Sequence, residues 1–184
     1  WLEGGSGGFK EWLGKFNPAA RPLYTLSSFV AMFAGVRTLF THCVWADDFS
    51  GFDPELHSLT HCAVSNRLLS KRTLNLRAAL GAGASINIGT DGLSSNMSLN
   101  FLDELRANLL IHASFDPLKL ARVLLLASTK NAANALNLDS GEIKTGKLAD
   151  LALYGGFADA DAAQLPLMLI LHARGCERLF VGGA

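Results

Sequence analysis

Hydrophobic positions recur along this chain at two spacings. Phe9, Trp12, Leu13 and Phe16 fall at i, i+3, i+4 and i+7, the stripe of an amphipathic helix within residues 1–17. Gly4-Gly5-Ser6-Gly7-Gly8 before it reads as a loop, and Pro18 and Pro22 break the chain after it. A second helix is expected over Leu26–Phe33, with Ser27 or Ser28 near its start. Val36–Val44, Leu59–Ala63 and Ser85–Thr90 read as short strands. Between the last two, Leu74–Leu80 reads as a helix closed by Gly81 and Gly83. Ser98 is placed to cap a helix from Leu99 to about Ala113. Asp116-Pro117 opens another to about Ala127, and Ser128 is placed to cap a further one to about Leu136.

Strands alternating with helices predict a parallel sheet with crossover helices. The polar residues His42, His61, Cys62 and Asp91 then stand at the C-terminal ends of strands, where α/β barrels and open α/β sheets carry their chemistry. From Asp139 the character changes. Gly141–Asp150 is rich in turn residues, Leu151–Tyr154 and Glu177–Val181 read as strands, and a helix is expected over about Ala162–Ala173. A boundary near residue 139 therefore divides 1–138 from a small β-rich module at 139–184.

Composition narrows the class. With 184 residues, 49% hydrophobic and 17% charged, the chain suits one interior-heavy α/β domain. A net charge of zero offers no basic field for nucleic acid. Apolar runs such as Leu165–Leu171 are too short to cross a bilayer, so no membrane partner is expected. Trp1-Leu2-Glu3-Gly4-Gly5 has neither the basic nor the apolar region of a signal peptide. It also lacks an initiator Met, and the chain reads as a piece of something longer or a processed product. Cys43, Cys62 and Cys176 form no CxxC pair and read as reduced thiols of a cytoplasmic protein.

The richest stretch is Ile88-Gly89-Thr90-Asp91-Gly92-Leu93-Ser94-Ser95-Asn96, a strand end that opens into a small-residue loop. Asp91 there is either a turn-capping aspartate or a hard oxygen ligand for a divalent cation that also handles a water proton. His42 is either a ring satisfied by a backbone carbonyl or a catalytic imidazole, and His61 has the same placement. His112 and His172 read as packed or surface rings, and His57, beside Glu55, as a solvated loop residue. HExxH, HxE with PCxxC, the P-loop and GxGxxG are all absent, and the Gly4–Gly8 cluster reads as a loop with no GxSxG elbow.

The set says more than its members. THCVWADD at 41–48, HCAVSNRLL at 61–69, IGTDGLSSN at 88–96 and GEIKTGKLADLALY at 141–154 occur in this order. Together they resemble the amidohydrolase superfamily, in its cytosine-deaminase-like and chlorohydrolase-like branch. SNRLL and TDGLSSN within them, with SLNFLDELRA following, look most like the aminofutalosine deaminases of menaquinone biosynthesis. The resemblance implies an α/β fold: the C-terminal part of a (β/α)8 barrel, strands six to eight, plus part of a small β-sandwich. It implies that Asp91 is a metal ligand that accepts a proton from bound water, and that His42 hydrogen-bonds the attacking hydroxide. It implies pocket walls at Ser65-Asn66 and at Ser94-Ser95-Asn96, with His61 nearby. One divalent metal ion, zinc or iron, is the implied cofactor. An aminopurine nucleoside, best 6-amino-6-deoxyfutalosine, is the implied substrate, and a homodimer is allowed. The family's HxH and HxxE metal elements do not occur in these 184 residues, so one ligand of the usual four is present and the piece alone is expected to be inactive. Deaminases of methylthioadenosine, adenosine or guanine, chlorohydrolase-type enzymes, and a non-catalytic barrel remnant serving as scaffold or dimer surface stay open beside it.

Overall fold

In the computed structural model, which describes residues 1–157 and 159–183, the chain runs through α1 (Gly8–Gly14), α2 (Leu26–Ala31), β1 (Thr38–Thr41), β2 (His57–His61), α3 (Ala63–Ser70), α4 (Leu76–Gly81), β3 (Ser85–Ile88), α5 (Phe101–Ile111), α6 (Pro117–Ser128), α7 (Lys130–Ala135), β4 (Leu151–Leu153), α8 (Leu165–His172) and β5 (Arg178–Phe180). The first three strands form a parallel sheet in the order β1-β2-β3. Leu59 and Ile86, opposite each other across β2 and β3, join Leu105, Leu120, Leu124 and Ile170 in the core. Thr41, Thr60 and Asn87 share a register row on the other face, which is therefore small and polar. β2 is buried except at Thr60, as a central parallel strand should be.

The connection from β1 to β2 departs from the expected alternation. No helix lies between these strands among the described residues. Phe49 and Phe52 are buried there, with the Phe52 ring 5.0 Å from Phe40 and 5.6 Å from Phe49. Gly51 and Pro54 forbid a helical repeat, and aromatic packing replaces it. His57 corrects the solvated-loop expectation. It is buried at the start of β2, where Nδ1 accepts from Asp53 N at 3.1 Å and Nε2 donates to Phe33 O at 3.0 Å.

Helix ends differ as well. α3 leaves β2 directly, a helix that no local signal announces, because its capping acceptor is distant: Glu104 Oε1 takes Val64 N at 3.2 Å. α5 is capped by Asn100, whose Oδ1 accepts from Leu102 N, while Ser98 Oγ accepts from Asn100 N one step earlier. Ser128 ends α6, its hydroxyl donating to Leu124 O at 2.6 Å, and Thr129 stands at the N-cap of α7.

The aromatic stripe is helical as expected, over α1. Trp1, Phe9, Trp12 and Phe16 stack along one another at 5.2–5.7 Å, yet among the described residues α1 buries none of its side chains. β4 and β5 form an antiparallel ribbon, with Leu151 opposite Phe180, and it too is largely exposed. The helix between them behaves otherwise: α8 packs on α5 and α6 and places Ile170 and Ala173 in the main core.

Candidate active site

The three parallel strands end together, and the chain leaves two of them through an unusual backbone. His42 and Cys43 follow β1 with φ of +71° and +47°, and Asp91 follows β3 with φ of +60°. Non-glycine residues adopt this left-handed region rarely, and such residues concentrate at functional sites. Close packing fixes the strand end beside them. A Cβ on Gly89 would approach Thr60 Cγ2 to 3.1 Å and Cys62 Sγ to 3.2 Å.

Asp91 accepts three hydrogen bonds. Ser65 Oγ and Ser95 Oγ donate to its Oδ2 at 2.6 and 3.0 Å, and Gly92 N donates to Oδ1 at 2.9 Å. The Ser65 bond leads in holding the carboxyl below its ordinary range, with Gly92 and Ser95 adding to it and His42 contributing least. A carboxylate offers about four lone-pair positions. One stays open on Asp91, whose side chain is 36% exposed. His42 faces it, with Nε2 at 4.0 Å from Oδ2. The other ring nitrogen, Nδ1, lies 2.8 Å from Asn66 Oδ1.

A buried layer supports this pair. Asn96 Nδ2 donates to Thr90 O at 2.7 Å and to Glu104 Oε2 at 2.9 Å, which ties the Asp91 loop to α5. Burial pushes the Glu104 carboxyl up from its usual range. His61 is fully buried, its Nε2 at 2.9 Å from His112 Nε2 and its Nδ1 at 3.3 Å from Asn66 Nδ2. Burial lowers His61 to about 3 and His112 to about 4, so both rings are neutral at neutral pH. Burial likewise pushes the Cys43 and Cys62 thiols up to about 11, which leaves neither as a thiolate nucleophile.

Thus Asp91, His42, Ser65 and Asn66 come together, and His61 lies beneath them. Asn96 belongs to the same layer through Glu104, while Ser94 is exposed on the loop. Two members escape a sequence reading, Glu104 and the pairing role of His112. A signal for Glu104 exists: Glu104 and Asn108 stand at i and i+4 beside Leu105, so a carboxylate and an amide share the buried face of α5. His112 shows no such signal, because its partner lies 51 positions away.

Among the described residues no group of three or more His, Cys, Asp or Glu is arranged to hold a metal ion. The open oxygen of Asp91 fits a hard divalent cation as a single donor, so further ligands have to come from elsewhere.

The amidohydrolase family model matches residues 4–183. A Helicobacter pylori adenosine deaminase is 38% identical over 190 residues, taking in 100% of this chain and 46% of the relative. The crystal structure of Helicobacter pylori aminofutalosine deaminase in complex with methylthio-coformycin superposes with a TM-score of 0.89 at 38% identity, over 100% of this chain and 46% of that one. An adenosine deaminase from Xanthomonas campestris with bound zinc superposes with a TM-score of 0.56 at 28% identity, over 69% of this chain and 31% of that one. The chain spans about half the length of the two Helicobacter pylori relatives.

Proposed function

Starting from the fact that this chain belongs to the amidohydrolase family, we propose that it is the part of a metal-dependent aminopurine nucleoside deaminase that brings Asp91 and His42 to the reacting centre. The observation that carries this reading is the pair itself. An acceptor-rich, half-open carboxylate faces an imidazole across 4.0 Å at the C-terminal mouth of a parallel sheet. Oδ2 already accepts from Ser65 and Ser95, so the position left open is on Oδ1, where the carboxylate can take one O–H of an attacking water while the facing imidazole takes the other.

Zinc or iron held with Asp91 as one ligand would supply the lowered water pKa that makes attack possible at neutral pH. The chain's own residues do the rest. Asp91 takes the proton that water gives up as its oxygen bonds to C6 of the purine. It hands that proton to the amine as the C6–N bond breaks and ammonia leaves. His42 orients the attacking water by accepting one of its O–H groups. Ser65 and Ser95 keep the carboxylate ionised and aimed. In this reading Asn66, His61 and Asn96 support the pair from below, and exposed Ser94 faces the substrate.

6-Amino-6-deoxyfutalosine is the substrate we favour, supported by the 0.89 TM-score to an aminofutalosine deaminase. Adenosine is the second reading, favoured by the 38% identity to an adenosine deaminase. In the intact enzyme β1, β2 and β3 would be barrel strands six, seven and eight, with 139–184 returning to a small β-sandwich. The 184 residues alone, holding one ligand of the set, would be inactive. The test is ammonia release by the full-length, metal-loaded protein over a panel of aminopurine nucleosides. The wild type is expected to turn over one of them, and Asp91→Asn to fall to background. Wild-type turnover in Asp91→Asn would overturn the assignment.

A further inference from the structure

Asn66 sits between two histidines and touches both. It is buried to 2% exposure on α3, with His42 Nδ1 at 2.8 Å from its Oδ1 and His61 Nδ1 at 3.3 Å from its Nδ2. The two distances assign the amide. An N–H···O bond is near 2.9 Å, so the shorter contact suits ring N–H to amide oxygen, and the longer suits amide N–H to a ring nitrogen. The hydrogen-bond inventory then propagates along the chain of groups. His42 carries its proton on Nδ1. His61 Nδ1 accepts from the amide and so carries its proton on Nε2. That proton reaches His112 Nε2 at 2.9 Å, with Thr73 Oγ1 a weaker acceptor at 3.4 Å, and His112 keeps its own proton on Nδ1.

We infer that Asn66 is a positioning residue: its amide oxygen holds His42 in the Nδ1–H tautomer, while its amide N–H is taken up by buried His61. The consequence at the mouth is that His42 Nε2 stands toward Asp91 as a lone pair, ready to accept from water. A free imidazole would divide its proton between the two nitrogens, and a flipped Asn66 would reverse every bond in the row. With its oxygen on His42, Asn66 removes the first alternative before substrate arrives. The shorter contact to His42 disfavours the second. The value of the tautomer for catalysis rests on the function proposed above. The bonding order does not.

The test reads the two separately. In full-length protein carrying 15N-labelled histidine rings, ring-nitrogen shifts at neutral pH report the tautomer, and single His→Gln variants assign them. His57 is an internal standard, since a backbone N–H and a backbone C=O fix it as Nε2–H. Nδ1–H for His42 and His112 with Nε2–H for His61 is the expected wild-type result. Nε2–H for neutral His42, or Nδ1–H for His61, overturns the inference without any variant. Asn66→Asp keeps the acceptor for His42 and removes the donor to His61, so His42 stays Nδ1–H while His61 switches to it. Asn66→Leu removes both, and kcat is expected to fall about 100-fold with KM little changed, the scale of losing one aligned acid–base group. Asn66→Asp should recover most of that loss. A merely structural role predicts no recovery, since the aspartate buries a charge, and that result would sink the catalytic half. Tautomers as expected in a protein that releases no ammonia would support the bonding order and overturn the proposed function.

Discussion

The loops at the ends of β1, β2 and β3 and the outer elements α1 and β4–β5 are built on opposite plans. In the first region most buried polar side chains are matched: Asn66, Asn96, Glu104, His61 and His112 all lie below 10% exposure and each has a partner, while Asn87 Nδ2 and Asn108 Oδ1 have none. In the second, large apolar side chains lie open, with Trp12 at 53%, Phe16 at 72% and Leu179 at 65% exposure. The contrast shows where specificity is written. A buried polar group without its partner costs free energy, so each one dictates where another segment must sit. An exposed ring imposes no such demand on the segments described here.

The contrast is sharpened first at Glu104. Replacement by Leu strips the acceptor from Val64 N and from Asn96 Nδ2. Two unpaired donors at ~2 kcal/mol each put the expected loss near 4 kcal/mol in urea unfolding. A loss below about 1 kcal/mol would show that the buried network does not specify this region.

The next effect is acid sensitivity. Burial lowers the pKa of His112 to about 4 and that of His61 to about 3, so the unfolded chain binds protons that the folded one refuses. Stability is full above about pH 6.5 and is lost as pH falls toward 4, by roughly 3 kcal/mol from His112 alone at 1.36 kcal/mol per unit. Unfolding midpoints taken across that window check the slope, and His112→Gln should flatten it. A wild-type midpoint that does not move would place both rings in water.

The smallest effects belong to the outer region. Trp12→Ser and Leu153→Thr are each expected to change stability by less than about 0.5 kcal/mol, as exposed substitutions do. A loss above about 1 kcal/mol at either position would erase the distinction between the two regions.

The same distinction decides what can be read from sequence. The parallel strands are legible as short β-rich runs, and so is the placement of His42, His61 and Asp91 at their ends, because both follow from local pattern. Helix α3 is not, since the acceptor at its N-terminus is Glu104, 40 positions away. The β1–β2 crossover is not, since Phe49 and Phe52 replace a helical repeat with ring packing. The α1 stripe is legible as a helix, but its exposure is not, because period reports which side chains share a face and not whether anything covers it. At the site, Asp91 and His42 stand out by motif. The bonds that orient them run through Ser65, Asn66 and Glu104, and those pairings exist only once the chain is folded.

The left-handed backbone at His42 and Asp91 sets strain against hydrogen bonding. Each such residue stores roughly 1 kcal/mol that glycine at the same position would not. At Asp91 that relief is outweighed, because glycine would leave the buried Ser65 hydroxyl without its carboxylate at ~1–3 kcal/mol. A selection for thermal tolerance alone would therefore keep the strained aspartate, whatever else it does.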